Sequence, residues 1–429
     1  MTNALKTLCD YIKASPTPWH AASCAEKRLR ECGFAPLSMR ENWRLEGGGR
    51  YFVRPFGTTL YAFVCGQDEP LSAPRLAGAH LDFPAIRLKP DPGAVRRGAL
   101  QLTTEVYGGP ILNTWFDRPL SLAGKIVWRG GDGRTESRLI DLKRPVAYIP
   151  NLAVHMNRGV NENGAPVDRQ KDLQPVIALT EEKDGAAFKG MLCAEAGIPE
   201  GSMLDWDLSL YNPAEPCLTG WRGEFLSSPR LDDLSSAAAL LDGLLACEGK
   251  RGLAVLCLFD NEEIGSRTKQ GADSDLPKLI LQKIWKAFGK DSVECLSDLT
   301  AGMILSADVA HAWHPNYPNV YDDKNSPLLG RGFVLKTASN QSYAWDCGAL
   351  AEAENLCITH HIPYQRFAKH SNQQGGGTIG SIISAHLPMP AVDLGVGLLA
   401  MHSATEFMAA ADQQSLADFA GVFYNSDGM

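Results

Sequence analysis

The feature that most constrains the fold is an alternation of helix-like and strand-like segments that stops in the middle of the chain and then resumes. Apolar residues at helical spacing open the sequence, and strand-like runs follow up to residue 80. Residues 91–227 instead hold short strand-like pieces between Gly, Asp and Pro clusters, which indicates a β-rich domain. The buried-strand pattern GLAVLCLFD and long helical stretches then return. We therefore predict a discontinuous α/β domain, residues 1–90 and 228–429, interrupted by an inserted β-rich domain, residues 91–227.

The second α/β stretch contains the elements on which the functional predictions depend. SSAAALLDGLLAC and the stretch 276–288 are predicted helices, and GMILSAD, GFVLK and VDLGVG are predicted strands. GGTIGSIISAHL is predicted as a loop followed by a helix. Residues 400–425, from AMHSATE to GVFYN, are predicted as one C-terminal helix.

The size and charge of the chain argue against several classes of protein. Its 429 residues exceed the usual size of one hydrophobic core, which supports two domains. The formal net charge is −8, and acids and apolar residues break up the most basic stretch, so nucleic acid is not an expected partner. No apolar run is long enough to span a membrane, and no signal peptide is expected at the N-terminus. The 11 cysteines lack regular spacing, so we expect a soluble, cytoplasmic protein without a disulfide framework.

Acidic or imidazole side chains stand at or just beyond the C-terminal ends of several strand-like runs. His80 follows LAGA, Glu262 follows LAVLCLFDN, Asp308 follows GMILSA, and His402 follows VDLGVGLLAM. Ligands bind at this edge of open α/β sheets, so we expect these side chains to meet there. Taken singly, each has an ordinary alternative: a surface residue at a strand end, a helix cap, or a histidine in the core.

Further carboxylates are expected to support this site. Asp82 lies two positions beyond His80 and would share its face of the strand, where its carboxylate could accept the second ring proton of His80 and fix the tautomer. Asp232 and Asp233 precede a predicted helix. Aspartates in that position are usually N-caps, but one of these two could bridge two metal ions.

Glu262 and Glu263 are adjacent carboxylates that directly follow a run expected to be buried. Buried charges are costly unless they are paired or bound to metal. One glutamate could therefore ligate a metal ion while the other takes a proton from the attacking water, and the alternative is capping of a helix. Together, two histidines, two aspartates, a glutamate and a spare glutamate match a co-catalytic pair of divalent metal ions. Zinc suits such mixed ligands, as do cobalt and manganese.

Several motifs resemble those of the M18 aminopeptidases, the aspartyl aminopeptidase family. They occur in the family's order along nearly the whole chain: HLDFPAIRLKP, SPRLDDLSS, FDNEEIGS, SADVAHAWHPNY, GGTIGSI and VDLGVGLLAMHSATE, with SPTPWHA and IPNLAVHMNR. The resemblance implies an α/β zinc-peptidase domain, with a mixed sheet and helices on both faces, interrupted by an inserted β-rich dimerisation domain. It also implies a homo-oligomer of dimers assembled into a tetrahedral dodecamer. The expected activity is release of N-terminal residues, Asp or Glu, from peptides by metal-activated water.

The resemblance assigns roles to individual residues. The general base is Glu262, and Asp82 is the carboxylate behind His80. Four residues each bind one of the two metal ions, and Asp232 binds both. The four are His80, Glu263, Asp308 and His402. Lys336 contacts the acidic side chain of the substrate. Other contacts to the substrate come from His311, Gly377, Thr378 and, from a neighbouring subunit, His155.

The sequence departs from the family pattern around the pocket, and this keeps other functions open. This chain has HLDFP where the family has an HTDSP-like segment, LDDL where it has LDNL, and GGTIGSI where it has a GTTIGPI-like loop. None of these changes removes a proposed ligand or the base. The alternatives are an aminopeptidase of broad specificity, a related metal-dependent deacylase or carboxypeptidase, and a catalytically silent scaffold particle. A nucleotide site at GGGTIG is disfavoured because the loop lacks the Lys-Ser/Thr ending of a P-loop.

Overall fold

A computed structural model describes residues 1–182 and 184–426, and the chain divides into two compact units. The first, which we call the α/β unit, comprises residues 1–82, 216–401 and those from Glu406 onward. The second, which we call the β unit, comprises residues 83–215 and the short segment 402–405. Among the described residues, no helix is both long and apolar enough to cross a membrane.

The elements follow one another in this order. The first part of the α/β unit contains α1 (Asn3–Ala14), α2 (Pro18–Glu31), β1 (Ala35–Leu37), β2 (Arg50–Val53), β3 (Leu60–Cys65) and β4 (Arg75–His80). The β unit contains β5 (Ala85–Arg96), β6 (Ala99–Tyr107), β7 (Pro119–Arg129), β8 (Thr135–Asp141), β9 (Ala147–Tyr148), α3 (Val160–Asn163), β10 (Val176–Leu179), α4 (Ala187–Ala196) and β11 (Met203–Tyr211).

The chain then returns to the α/β unit for its remaining elements. The first of these are β12 (Cys217–Thr219), β13 (Phe225–Ser228), α5 (Leu231–Leu245), β14 (Leu253–Phe259), α6 (Leu276–Ala287), α7 (Ser292–Thr300) and β15 (Met303–Ala307). The last are β16 (Ala310–His311), β17 (Phe333–Thr337), α8 (Cys347–Thr359), β18 (Tyr364–Ala368), α9 (Ile379–His386), β19 (Ala391–Gly395), β20 (Gly397–Leu399), β21 (Glu406–Ala409) and α10 (Asp412–Asn425).

The main sheet of the α/β unit has the order β1-β2-β3-β14-β4-β15-β19-β17-β18. Its centre, β14, β4, β15 and β19, is parallel, whereas β3 and β17 run antiparallel to their neighbours within it. Every residue of β4, β14 and β15 is buried, as expected for strands covered on both faces. The mixed α/β fold that the sequence predicts is therefore confirmed.

Helices cover both faces of this sheet. Gly78 faces α9 closely enough that a Cβ atom there would lie 3.2 Å from Ile379 and Ile383. Arg75, three residues earlier and so on the other face, donates a hydrogen bond of 3.1 Å to the Tyr424 carbonyl of α10. A smaller sheet of the same unit has the order β12-β13-β21-β20-β16.

The β unit is built around one sheet with the order β11-β5-β6-β10-β9-β7-β8. Because β11 also pairs with β7, the sheet closes on itself and encloses an apolar core that includes Leu102, Leu122 and Ile126. The segment 402–405 belongs to this unit. The Ala404 N–H donates to the Thr114 hydroxyl, at 2.9 Å, and the Ala404 carbonyl accepts from the Asn212 amide, at 2.8 Å.

The observed boundaries differ from those we expected, residues 90 and 227. The first unit ends at Asp82 because β5 already belongs to the closed sheet of the β unit. It resumes at Pro216 because β13 pairs with β21 inside the α/β unit. The prediction of one helix over residues 400–425 is wrong: β21 occupies Glu406–Ala409, and α10 begins only at Asp412.

Candidate metal centre

Three adjacent parallel strands bring the predicted residues to one edge of the main sheet. β4 ends at His80 and is followed by Asp82. β14 leads into Glu262 and Glu263, and β15 leads directly into Asp308. Since β14 and β15 both pair with β4 in parallel, their C-terminal ends meet, as the sequence predicts.

His80 is buried, and its ring orientation is fixed by the backbone of Asp82. The His80 Nδ1 atom lies 2.9 Å from the Asp82 carbonyl oxygen, which assigns the proton to Nδ1 because a carbonyl only accepts. The opposite nitrogen, Nε2, lies 3.3 Å from an Asp232 carboxylate oxygen and 3.9 Å from one of Asp308. This is the tautomer that a metal-ligating histidine needs.

The carboxylate of Asp82 binds the backbone of the glutamate pair and not, as we expected, the His80 ring. Its nearer oxygen lies 3.6 Å from His80 Nδ1, too far for the predicted hydrogen bond. Its two oxygens instead accept the backbone N–H groups of Glu262 and Glu263, each at 3.1 Å. Asp82 therefore holds the glutamate turn in place, while its carbonyl fixes the histidine.

Glu262 and Glu263 lie on a single helical turn, Glu262–Ile264, rather than on a longer helix that they could cap. Asn261 and Gly265, on either side of this turn, adopt left-handed conformations with φ of 65° and 94°. Burial is the main cause that raises the pKa of Glu262 to about 8, and the charges of neighbouring aspartates add to it. A carboxyl group with such a pKa takes up a proton readily near neutral pH.

Asp232 and Asp233 stand at the start of α5 with non-helical backbone angles and a cis peptide bond between them. The Asp232 N–H donates to the Glu406 carboxylate at 3.0 Å, and the Asp232 carboxylate faces the His80 ring. One oxygen of Asp233 instead accepts the His80 backbone N–H at 3.3 Å. Burial raises the pKa of Asp233 well above its ordinary value.

The donor set fits divalent metal ions. Ligand atoms of His80, Asp232, Asp233 and Asp308 lie within 4.8 Å of one another, as do those of His80, Glu262 and Glu263. Burial alone would lower the pKa of His80, but the aspartates around it outweigh burial and raise that pKa well above its usual range. So many carboxylates in a buried space require added positive charge, and divalent zinc, cobalt or manganese accept imidazole and carboxylate ligands together.

His402 lies in the segment that belongs to the β unit. Its Nδ1 atom is 3.0 Å from the Gly109 carbonyl, which assigns the proton to Nδ1, and its own carbonyl accepts the Ile111 N–H at 2.9 Å. The residue has a left-handed backbone with φ of 67° and is half-exposed. It is therefore not the core histidine that was its ordinary alternative.

Lys336, on β17, is buried, with 1% of its surface exposed. Its ammonium donates to the Val309 carbonyl at 3.1 Å and lies 4.9 Å from the centre of the Tyr343 ring. Burial lowers the pKa of Lys336, but the negative charges of Asp308 and Asp393 outweigh burial and raise it. The ammonium is therefore held within the protein and is not a solvated group at a sheet edge.

The remaining predicted substrate contacts lie on loops. Thr378 is buried and donates its hydroxyl hydrogen to Asp393 at 2.7 Å, whereas Gly377 is exposed. His311 lines a cavity of about 300 Å³ in the α/β unit. His155 lies on an exposed turn of the β unit, Val154–Met156, between the exposed apolar side chains of Val154 and Met156.

The buried carboxylates of the α/β unit that sequence reasoning missed include Asp393, Asp412 and Glu406. Asp393 sits inside the apolar run VDLGVG, and Asp412 opens α10. A lone aspartate within an apolar strand pattern is itself a signal, because a buried charge needs a partner.

Comparison with known proteins gives one family. Residues 11–424 match the family described as aminopeptidase I zinc metalloprotease (M18). The probable M18 family aminopeptidase 2 of Clostridium acetobutylicum is 39% identical over 426 residues, 98% of both chains. Its namesake from Pseudomonas syringae pv. syringae is also 39% identical over 426 residues, again 98% of both chains.

Solved structures are similar over nearly the whole chain. The match to a chain in the cryo-EM structure of the Ape4 and Nbr1 complex has a TM-score of 0.94 at 30% identity and covers 98% of this chain and 85% of that one. The match to the crystal structure of prApe1 has a TM-score of 0.93 at 28% identity and covers 98% of this chain and 93% of that one. The S. cerevisiae mApe1 dodecamer matches with a TM-score of 0.87 at 26% identity, covering 98% and 96%.

Proposed function

The chain belongs to the M18 family of zinc aminopeptidases, and from this premise we propose that it removes single N-terminal residues from peptides with two divalent metal ions and a glutamate base. The observation that supports the proposal most strongly is the convergence of His80, Asp232, Asp308 and the glutamate pair at one sheet edge. Their chemistry suits zinc, with cobalt or manganese as substitutes.

The proposed ligands are those that the family resemblance assigns. Asp232 would be the ligand common to both ions, and the other residues that would hold them are His80, Glu263, Asp308 and His402. When bound, a pair of divalent ions lowers the pKa of a water molecule and polarises the carbonyl of the scissile bond. The family resemblance leaves Asp233 outside this set, and one of its oxygens accepts the backbone N–H of His80.

Glu262 is the proposed general base, and Asp82 positions it. Burial raises the pKa of Glu262 and so makes it a stronger acceptor for the proton of the attacking water, which it then gives to the leaving amine. Because both N–H groups of the glutamate turn are bound to the Asp82 carboxylate, the base has a fixed place in the site.

We propose Lys336 as the group that selects an acidic N-terminal residue. A substrate carboxylate entering a buried pocket needs a cation, and the acidic chain as a whole offers no general attraction. A broad-specificity aminopeptidase is the second candidate. It is favoured by the position of Lys336 among the charges of Asp308 and Asp393, which already attract its ammonium.

Hydrolysis of Asp, Glu, Ala and Leu anilides by metal-loaded enzyme tests both candidates. We expect higher kcat/KM on the acidic pair, and we expect Lys336→Met to remove that preference while keeping activity on Ala and Leu. Equal activity of the native enzyme on all four substrates would support the broad-specificity candidate. No release of any N-terminal residue would reject an aminopeptidase function.

We also propose a cytoplasmic homo-oligomer in which the β unit forms dimers and the dimers form a tetrahedral dodecamer. Leu152, Val154 and Met156 are 64%, 51% and 75% exposed around His155, and adjacent exposed apolar residues commonly mark interfaces. The S. cerevisiae mApe1 dodecamer, 26% identical to this chain, supports the proposed number of subunits. His155 would then act in the site of a neighbouring subunit, so an interface variant that forms monomers should lose activity.

A further inference from the structure

Asp393 lies opposite Lys336 in the main sheet. The two residues are directly paired across the antiparallel strands β19 and β17, so their side chains project from the same face. Asp393 is fully buried, and the charge of Lys336 acts to lower its pKa. Its carboxylate therefore lies on the same face of the sheet as the ammonium that we propose selects acidic residues.

The same carboxylate is the common acceptor for two separate loops. Its Oδ2 atom accepts the N–H of Ala344, and it accepts the hydroxyl of Thr378 at 2.7 Å. The loops are also joined directly, because the Thr378 N–H donates to the Ser342 carbonyl at 3.1 Å. Removing Asp393 would leave two buried donors, one on each loop, without this acceptor.

Both loops form walls of the cavity of about 300 Å³ that His311 also lines. Tyr343 contributes from the first loop, next to Ala344, and Gln373 and Gly375 contribute from the segment that leads to Thr378. The Tyr343 ring also contacts the Lys336 ammonium, with 4.9 Å between the nitrogen and the ring centre. The position of the cavity walls relative to Lys336 thus depends on what holds these two loops.

We propose that Asp393 is a positioning residue for substrate recognition: it holds the Tyr343–Ala344 loop and the Thr378 loop in a fixed relation to Lys336. The proposal rests on the proposed aminopeptidase function and adds to it a residue that touches neither the metal ligands nor the base. Its physical basis is that one buried acceptor joins three chain segments, so losing it removes a bond from each of two loops at once.

The chain contains a closely matched control in Asp412. This aspartate is 1% exposed and accepts two backbone N–H groups, from Gly330 at 2.9 Å and from Gly332 at 2.8 Å. Burial raises the pKa of Asp412 to about 6, the same value to which burial raises that of Asp393. Both residues are buried aspartates that accept two hydrogen bonds, but Asp412 anchors a loop at the opposite end of β17 from Lys336.

The test compares Asp393→Ala with Asp412→Ala, using acidic and neutral anilides. We expect Asp393→Ala to lower kcat/KM on the Asp anilide by at least about 10-fold, the equivalent of one lost charge-assisted hydrogen bond. The loss should be in KM, with bound metal unchanged. Asp412→Ala should lower the melting temperature to a similar degree and leave KM as it is. A loss of kcat/KM for Asp393→Ala no greater than for Asp412→Ala would overturn the proposal.

Variants of Thr378 keep the test valid if Asp393→Ala does not fold. Thr378→Val removes the hydroxyl at nearly constant shape and should raise KM, whereas Thr378→Ser retains the hydroxyl and should restore it. Combined with Asp393→Leu, which has a similar size and no acceptor, Thr378→Val should have a smaller effect than it has alone, because both changes remove the same bond. Fully additive effects of the two changes would contradict the proposal.

Hydrogen exchange separates this proposal from the proposed function. In Asp393→Leu, which has no acceptor, the Ala344 amide should exchange faster, while the Gly332 amide should not; Asp412→Leu should give the reverse. If the native enzyme cleaves no anilide, the proposed function fails, and exchange still tests whether Asp393 holds the loops. If the native enzyme is active but the Ala344 amide is unaffected, only the positioning role of Asp393 is rejected.

Discussion

The two units of this protein differ in whether their buried side chains carry charge. Among the described residues, the buried charged side chains lie in the α/β unit and include Asp82, Asp232, Asp308 and Lys336. The buried polar side chains of the β unit are Thr104, Ser121, Gln174, Ser209 and Asn212, and none of them is charged. Burying a charge is costly, so an uncharged core is the ordinary result of folding, and a charged one indicates chemistry. We therefore expect changes to the buried charged side chains of the α/β unit to affect activity first, and changes to the apolar core of the β unit to affect stability first.

The largest expected effect is that of Glu262→Gln. The amide keeps the shape of the side chain but cannot accept a proton, so kcat should fall by about 10³-fold, or about 4 kcal/mol, within the range for loss of a general base. Metal content should be unchanged, and the free energy of unfolding should stay the same or rise, since a buried carboxylate is lost. Glu263→Gln, the matched neighbour, should lower metal content instead. A Glu262→Gln enzyme with near-native kcat would place the base elsewhere.

The next largest effect should be on stability and should come from the β unit. Ile126 is fully buried in the core of the closed sheet, and Ile126→Ala should lower the free energy of unfolding by about 3 kcal/mol. Urea unfolding measures this loss. Well below the unfolding transition, kcat per folded chain should match that of native enzyme. A kcat loss as large as the one for Glu262→Gln would remove the distinction between the two units.

A third prediction concerns Asp82, whose carboxylate binds the glutamate turn while its carbonyl binds His80. Asp82→Asn leaves one acceptor oxygen for two N–H groups, so kcat should fall about 10- to 100-fold, as for other supporting residues of metal sites. Metal affinity should change little, because the carbonyl that fixes the histidine is unaltered. If metal affinity fell while kcat per bound metal stayed constant, the carboxylate would instead be the partner of His80.

The two roles of Asp82 also show how far the sequence could lead. A buried strand that ends in a charged residue is visible in the sequence, so the meeting of His80, the glutamate pair and Asp308 could be predicted. Backbone carbonyls carry no sequence signal, so the acceptor for the His80 ring was assigned to the wrong atom of Asp82. A sequence therefore indicates which residues meet at a sheet edge more readily than which of their atoms are bonded.

Long-range pairing explains the errors of the secondary-structure prediction. Glu406–Ala409 lies in a stretch that also fits helical spacing, and it becomes β21 because it pairs with β13, far away in the sequence. The segment 402–405 is bonded to Thr114 and Asn212, which no local pattern reveals. Asp393 was missed for a similar reason, since its partners Ala344 and Thr378 come from two distant loops.

The smallest expected effect is a pH dependence of stability that comes from Asp412. Burial is the main cause that raises its pKa to about 6, whereas an unfolded aspartate has a pKa of about 3.9. Between these values the unfolded chain has released the proton and the native chain still holds it. The stability that this proton contributes is thus fully present below about pH 3.9 and is lost as the pH rises through about 6.

Asp412→Asn has no group that ionises at this position, so its free energy of unfolding should not fall in this way as the pH rises. Between about pH 5 and pH 7, the free energy of unfolding of the variant should rise relative to native protein by about 1 kcal/mol. Urea unfolding of both proteins across this range measures the difference, and the surface substitution Asp132→Asn, at a side chain 60% exposed, serves as the control, since it should show no such trend. A constant difference between native protein and Asp412→Asn would mean that the Gly330 and Gly332 N–H groups stabilise the charge enough to cancel the effect of burial. Buried charge in the α/β unit would then be costly at the metal centre but not at a structural anchor.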